Sequence, residues 1–477
     1  MSNWLSTADR FADWSAVSAT VAGLGSSGFA AADALLRVGA HVEVIDAETP
    51  LEGVVRSRRA EILDALGARV RLGVSDDVVI GGDLLVPSPG LRPNHPWIAS
   101  TQASTTWSGE QLAWQLRPPA VPWLTVTGTN GKTTTVQMVD SMLRHNGQAS
   151  LAAGNIGLPL AEAIFVEPTP EVFVVELSSF QLHFTSGVSA HSAALLNLAP
   201  DHVDWHGSYD AYVEDKARIF NRTQQTIVYN HDDAKVERLA EAADVVEGCR
   251  AVGFTLGVPK RSMMGVVDGV LVDRAFGAER ATHALELVAA EALSSDAPHL
   301  VADTLAAAAL ARSYGVSIDA VRQAAAGFTM ADHRGETVAV ASGVRYVDNS
   351  KATNVHAADV ALSAEPNVVW IAGGLAKGGR FDGLFRDHRE RLRAVVLIGA
   401  DQLLLAEAAR RHAPDVPLIA IPAGETEPME HAVRAAAAAA QPGDVVLLAP
   451  ACASMDQFTD YRARGRAFAE AVARLQR

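Results

Sequence analysis

A chain of 477 residues exceeds what one hydrophobic core organises, and at about 150 residues per domain it implies roughly three units. With 49% hydrophobic and 20% charged residues it has the balance of a folded globular protein, which excludes a mainly disordered or fibrous chain. A formal net charge of -15 excludes a broad basic face for nucleic acid or an anionic membrane, and two distant cysteines, Cys249 and Cys452, exclude a disulfide framework or a cysteine zinc site.

Asp9, Arg10 and Asp13 precede any apolar run, unlike the start of a signal peptide, and no apolar stretch reaches bilayer-spanning length. The expectation is a cytoplasmic protein with no membrane partner. Residues 18–22 then read as a strand, 23–28 as a glycine-rich turn, 29–38 as a helix and 41–45 as a second strand ending at Asp46. That is one βαβ unit. A short buried strand at 83–86 breaks at Pro87-Ser88-Pro89-Gly90, placing a loop at its carboxyl end, where parallel sheets bind ligands.

Three prolines in 117–122 mark a linker, so a first unit over 1–115 is expected. Apolar runs at 123–127, 172–175 and 193–198 separated by helical patterns give a second α/β unit over 116–329. Those at 368–371, 394–398, 418–421 and 445–448 give a third over 330–477. The fold class is α/β in three domains: a Rossmann-like first, a central one of P-loop ATPase type with a mostly parallel sheet, and a Rossmann-like last.

The strongest chemical signal is Gly128-Thr129-Asn130-Gly131-Lys132-Thr133-Thr134, between the strand at 123–127 and a helix marked by Val136, Val139 and Leu143. Backbone N–H groups of such a turn hold phosphate oxygens, Lys132 neutralises charge, and Thr133 offers a hydroxyl to magnesium. The common pattern has glycine five positions before Gly131; here that residue is Val126. ATP use follows from this loop. The turn at 23–28 with Asp46 has the form of a dinucleotide fingerprint, open to a nucleotide diphosphate or to a purely structural turn. Glu176, after an apolar strand, is either a magnesium ligand or a solvated cap. Residues 201–207 place Asp201, His202, Asp204 and His206 in one loop, read as a metal or acid-base site or as ordinary loop histidines.

Gly-Asn-Ile-Gly-Leu-Pro at 154–159, Glu-Leu-Ser-Ser-Phe-Gln-Leu at 176–182, Ser-Lys-Ala-Thr-Asn at 350–354 and Ala-Cys-Ala-Ser-Met-Asp-Gln-Phe at 451–458 stand in order with the phosphate loop. Together they resemble the ATP-dependent Mur ligases of peptidoglycan synthesis across the whole chain, and within them the D-glutamate-adding branch. The resemblance implies an amide ligase in which ATP converts the alanine carboxylate of UDP-N-acetylmuramoyl-L-alanine to an acyl phosphate. D-glutamate then attacks, releasing ADP and phosphate. A monomer is expected.

The resemblance assigns residues as well. Gly128, Thr129, Asn130, Gly131, Lys132, Thr133 and Thr134 would hold ATP, joined by Arg334 and Asn349 when the third domain closes on the second. Thr133 and Glu176 would serve one magnesium ion, and His202 with a carbamylated Lys216 a second, because an unmodified ammonium offers no lone pair to a cation. Lys132, Glu176, His202 and Lys216 form the expected catalytic set. Ser27, Asp46, Ser88 and Gly90 would meet the UDP part, and Asn155, Ser178 and Gln181 the sugar and its alanyl arm. Lys351, Thr353, Lys377, Ser454, Met455 and Tyr461 would grip D-glutamate.

Ala47 and Glu48 depart from the family around the uracil. On the ATP side Asn349 stands where many relatives have Asp, and His299-Leu300-Val301-Ala302-Asp303 replaces an expected His-Asn and a later Asn. The alternatives are a Mur-type ligase for another amino acid, a folylpolyglutamate-synthetase-like relative, an NAD-dependent oxidoreductase built on 1–115, and a nucleotide-sensing module without catalysis.

Overall fold

Short runs buried on both faces alternate with helices along the chain, and mostly parallel sheets are the result. The computed structural model describes residues 2–49, 54–329, 333–422 and 424–475; the expected boundary at 330 falls on Met330, outside the described residues. Two compact units emerge, one of residues 1–198 with 205–329, the other of 199–204 with 330–477.

The first unit carries two sheets. Strands β1 (Ser18–Ala22), β2 (His41–Asp46), β3 (Arg69–Leu72), β4 (Leu84–Pro87) and β5 (Thr105–Thr106) pair in parallel in the order β3-β2-β1-β4-β5. The helix after β1 spans Ser26–Arg37, starting three residues before the expected position because Gly25, at φ -70° and ψ -172°, already caps it. Gly28 therefore lies in its first turn. A Cβ there would stand 1.9 Å from the Gly23 carbonyl oxygen, so the absent side chain lets the helix press on the strand-end turn.

The second sheet is larger than three apolar runs indicate. It comprises β6 (Trp123–Thr127), β7 (Ser150–Gly154), β8 (Val172–Glu176), β9 (Ser192–Leu195), β10 (Thr226–Asn230), β11 (Arg250–Phe254), β12 (Met263–Val267), β13 (Val270–Asp273) and β14 (Leu285–Ala289). Their order is β14-β13-β12-β11-β10-β9-β6-β8-β7, parallel from β7 to β12. The antiparallel β12–β13 hairpin turns on Asp268-Gly269, both at positive φ, as a two-residue turn that follows strand twist requires.

Trp114 and Trp123 meet edge to face at 5.1 Å across the proline-rich segment 117–122, and both belong to one apolar cluster with Val21, Leu35 and Phe173. The expected linker is thus spanned by packing. Helix Gly109–Leu116, capped by Ser108, buries Glu110, whose Oε1 accepts a hydrogen bond from Gln181 Nε2 at 2.5 Å. Burial pushes the Glu110 carboxyl up to about 7, against the opposing hydrogen bonds.

The second unit holds β15 (Glu336–Ala341), β16 (Val344–Asp348), β17 (Val368–Gly373), β18 (Leu392–Ile398), β19 (Leu418–Ala420) and β20 (Val445–Leu448), in the order β15-β16-β20-β17-β18-β19. The four expected strands and β16 form its parallel part, and Ser342-Gly343 turns the antiparallel β15–β16 hairpin. This sheet has close-packed glycines of its own: at Gly373, with φ +120°, a Cβ would lie 2.0 Å from the Ile398 carbonyl oxygen.

Two stability measurements check this packing. Gly28→Ala should lose about 1–3 kcal/mol in denaturant unfolding, the usual cost of overpacking, whereas Gly25→Ala, whose Cβ meets nothing within 4 Å, should lose clearly less; equal losses would contradict the close approach. Glu110 holds its proton more tightly folded than unfolded. Its contribution is therefore complete below the ordinary value of 4.5 and fades as pH rises through about 7. Glu110→Gln should gain in Tm relative to wild type between about pH 5 and about pH 8, and a constant difference would contradict the assignment.

Candidate active site

Strand β6 is buried throughout and ends at the loop 128–131, which leads into helix Lys132–His145. Gly131 caps that helix in the left-handed region at φ +82°, and a Cβ there would stand 2.2 Å from Asp303 Oδ1. Asp303, a departure from the family pattern in the sequence, thus packs directly against the loop. Asn197, at the end of β9, clamps the loop from the other side. Its Oδ1 accepts the Asn130 N–H at 2.9 Å, its Nδ2 donates to the Asn130 carbonyl at 3.1 Å, and its own carbonyl accepts the Thr129 N–H at 3.0 Å. The Thr129 hydroxyl meets the Tyr212 hydroxyl at 2.8 Å.

Two ammonium groups converge on this loop. Lys132 Nζ donates to the carbonyls of Gly128 and Thr129, each at 2.8 Å. Lys216, buried in helix Tyr209–Ala217, donates to the same Gly128 carbonyl at 2.8 Å and to Thr127 Oγ1 at 3.2 Å. Without the family resemblance Lys216 read as a solvated helix residue; the structure makes it one of the largest fully buried side chains.

Glu176 ends β8 beside β6, in register with Val126, and is 2% exposed. Its Oε2 accepts from Thr133 Oγ1 and its Oε1 from Asn155 Nδ2, both at 2.8 Å. Gly154, at φ +106°, leaves room for this: a Cβ would lie 2.4 Å from the Glu176 carbonyl oxygen. The carboxyl ends of β6, β7 and β8 thereby bring Thr133, Asn155 and Glu176 together beside Lys132 and Lys216, at the edge of a parallel sheet where ligands bind. Ser178 and Gln181 serve the local fold: they form a reciprocal capping box on helix Ser179–His183, and Gln181 also holds Glu110.

In the first sheet the Asp46 carboxylate closes the glycine-rich turn. It accepts the Leu24 N–H at 2.6 Å and the Glu48 N–H at 2.8 Å, and pairs with Arg56 at 3.1 Å, while Arg56 also meets Glu48. Ser88, whose N–H reaches the Ala22 carbonyl, lies against Gly23, and Gly90 is exposed on the same loop after β4. Ser27 is half-buried in the first turn of the Ser26–Arg37 helix, so these four residues follow β1, β2 and β4.

His202 belongs to the second unit, where its backbone takes φ +53° and its Nε2 stands 3.7 Å from Asp201 Oδ2. Asp201 is the hub there. Its Oδ1 accepts from Lys377 Nζ at 2.9 Å and its Oδ2 from Asn354 Nδ2 at 3.1 Å. Burial alone would raise its carboxyl, but the charges of Lys377 and His202 and the bonds from Lys377 and Asn354 outweigh it and leave it below the usual range. Lys377 itself sits at φ +51°, and Lys351 Nζ lies 4.1 Å from the centre of the Tyr461 ring.

Ser454 is buried at a turn and Met455 exposed beside it. The Thr353 N–H reaches the Lys351 carbonyl, and Asn349 hangs from the Leu448 carbonyl. Arg334 is half-buried just before β15. Buried Arg464, lowered to about 10 by its burial, braces the loop by donating to the carbonyls of Ser350 and Cys452. Asn197, Tyr212, Asp201 and Arg464 were not singled out as site residues. Only Asp201 carried a signal, through its place in the acid and imidazole cluster.

The model of the Mur ligase middle domain matches residues 126–264, and that of the Mur ligase glutamate ligase domain matches 333–452. A UDP-N-acetylmuramoylalanine--D-glutamate ligase of Streptomyces avermitilis is 50% identical over 465 residues, covering 96% of this chain and 98% of the relative. Among solved structures, a pseudomurein peptide ligase of type C from Methanothermus fervidus is similar at a TM-score of 0.57 and 17% identity, over 96% of this chain and 100% of that one. The MurF ligase of Thermotoga maritima in complex with ADP follows at a TM-score of 0.54 and 16% identity, over 99% and 100%. The phosphate loop and the buried carboxylate beside it fall in the span matched by the middle-domain model, the Lys377 loop falls in the span matched by the last, and the likeness to the Streptomyces enzyme runs nearly end to end: the chain belongs to the Mur ligase family.

Proposed function

We propose that this chain is the ATP-dependent ligase that joins D-glutamate to the alanine carboxylate of UDP-N-acetylmuramoyl-L-alanine, releasing ADP and phosphate. The observation that carries this reading is the group of Lys132, Thr133, Asn155, Glu176 and Lys216 around one phosphate loop, in a chain half identical to a relative named for that reaction. A carboxylate is a poor acyl donor, and phosphorylation gives it a leaving group that an amine can displace.

Residues 1–115 would bind the UDP part through Ser27, Asp46, Ser88 and Gly90, 116–329 the ATP, and 330–477 the amino acid, with Arg334 and Asn349 completing the nucleotide contacts. Backbone N–H groups of 128–134 would hold the phosphates, and Lys132 would shift from the loop carbonyls to the oxygens that gain charge during transfer. Asn155, Ser178 and Gln181 would orient the sugar and its alanyl arm.

The donor set fits magnesium: the Thr133 hydroxyl and the Glu176 carboxylate are hard oxygen donors 2.8 Å apart at the loop. His202 and Lys216, the latter as a carbamate, would hold a second ion. A carbamate would convert the buried Lys216 ammonium, which donates to the Gly128 carbonyl and to Thr127 Oγ1, into an anionic oxygen ligand. When bound, the ions supply charge neutralisation for the phosphoryl oxygens.

D-glutamate carries two carboxylates, and Lys351 and Lys377 follow β16 and β17 on either side of the loop after β20, which carries Ser454 and Met455; Thr353 and Tyr461 would join them. Because Asp201 already pairs with Lys377, a substrate carboxylate would share or exchange that partner. The enzyme is read as a cytoplasmic monomer; no helix among the described residues is long and apolar enough to cross a membrane.

Phosphate release with ATP, UDP-N-acetylmuramoyl-L-alanine and a panel of amino acids tests the reading. D-glutamate alone should stimulate it; equal stimulation by another amino acid overturns the acceptor, and no turnover with any overturns the ligase reading. Lys132→Ala should cut kcat by about a hundredfold or more, as loss of a charge-stabilising donor does. Lys377→Ala should raise KM for D-glutamate by about tenfold, the size of one charge-assisted hydrogen bond, with a smaller change in KM for ATP. Equal KM changes for both substrates in that variant would contradict the partition.

A further inference from the structure

We infer that His183, His206 and Asp215 form a binding site for a borderline divalent transition metal such as zinc, separate from the magnesium ligands assigned above. All three residues belong to the first unit and lie in different helices: His183 ends the short helix Ser179–His183, His206 closes helix Val203–His206, and Asp215 lies in helix Tyr209–Ala217. Their potential ligand atoms all lie within 4.8 Å of one another. Both Nδ1 atoms stand 2.8 Å from the same oxygen, Asp215 Oδ2. Two imidazoles and one carboxylate make a nitrogen-rich set, which suits zinc, cobalt or nickel and not magnesium, whose preference is for oxygen.

The surroundings pre-organise these donors. Asp215 Oδ1 is taken by Arg218 at 3.2 Å, which turns Oδ2 toward the imidazoles. The His206 side chain is fully buried, stacked on Phe180 at 5.6 Å and edge-on to Tyr212 at 5.3 Å, so its ring cannot swing away. Its Nε2 meets Ser179 Oγ at 3.0 Å. Such a partner on the far ring nitrogen fixes a metal-binding imidazole. It also resolves the proton balance. A metal bound at Nδ1 requires the ring proton on Nε2, and the Ser179 hydroxyl, donor or acceptor, accommodates His206 in either tautomer. The His183 side chain, 28% exposed, leaves an approach from solvent and room for water as a fourth ligand.

Without an ion the same three groups form a hydrogen-bonded brace, and metal analysis separates the two. Full-length protein, stripped with a chelator and then held in saturating magnesium and ADP, is dialysed against zinc. The wild type should retain one zinc equivalent per chain more than His183→Gln and more than His206→Gln. With cobalt as the probe, the wild type should show the visible absorption of a tetrahedral site and both variants should lose it. Equal zinc content in wild type and variants, or an unchanged cobalt spectrum, overturns the site and leaves the brace. Should His206→Gln unfold, the partly exposed His183→Gln decides alone, with its thermal unfolding recorded alongside.

Discussion

The active region depends on one buried carboxylate. Glu176 stands at the end of β8 with the Thr133 hydroxyl on one oxygen and the Asn155 amide on the other. Burying an ionised carboxylate is costly unless its lone pairs are met, so both partners are held in place by the need to satisfy it. Thr133 begins the helix after the phosphate loop, and Asn155 follows β7. One charge thus ties three neighbouring strand ends together, and the glycines at 131 and 154 exist where any side chain would collide with Asp303 or with the Glu176 carbonyl.

The loop itself is assembled from outside as much as from its own sequence. Asn197 reads the Asn130 backbone in both directions, Tyr212 meets Thr129, and Lys132 and Lys216 share the Gly128 carbonyl. Both side chains thus reach one carbonyl at the turn where a phosphate oxygen would be held. In the second unit Asp201 compensates Lys377, a cation assigned to a dicarboxylate.

The parts of this picture that are local were legible in the sequence. A strand, a glycine turn and a helix start announce the phosphate loop because each has its own pattern within a dozen residues. Lys132, Thr133 and Glu176 could be named from strand ends alone. Lys216 could not, since a lysine in a helix carries no mark of burial, and only the family resemblance singled it out. Asn197 and Tyr212 were invisible for a related reason: they act across 67 and 83 residues of chain, through contacts that only the sheet order creates. Asp-Gly at 268–269 and Ser-Gly at 342–343 turn hairpins, but a strand such as β16, Val-Arg-Tyr-Val-Asp, interrupts its apolar residues with charged ones and so does not read as an apolar run. Ser178 and Gln181 also cap a helix and hold Glu110, a structural part for which the motif gave no sign.

The proposed ligation requires that the phosphoryl group held at the 128–134 loop pass to the substrate carboxylate before the amine attacks. Heavy-oxygen labelling of that carboxylate follows the transfer. If an acyl phosphate forms, one labelled oxygen per turnover leaves in the released inorganic phosphate, and the amide keeps the other. Label appearing in AMP, or phosphate released without label while the amide forms, would rule out an acyl phosphate.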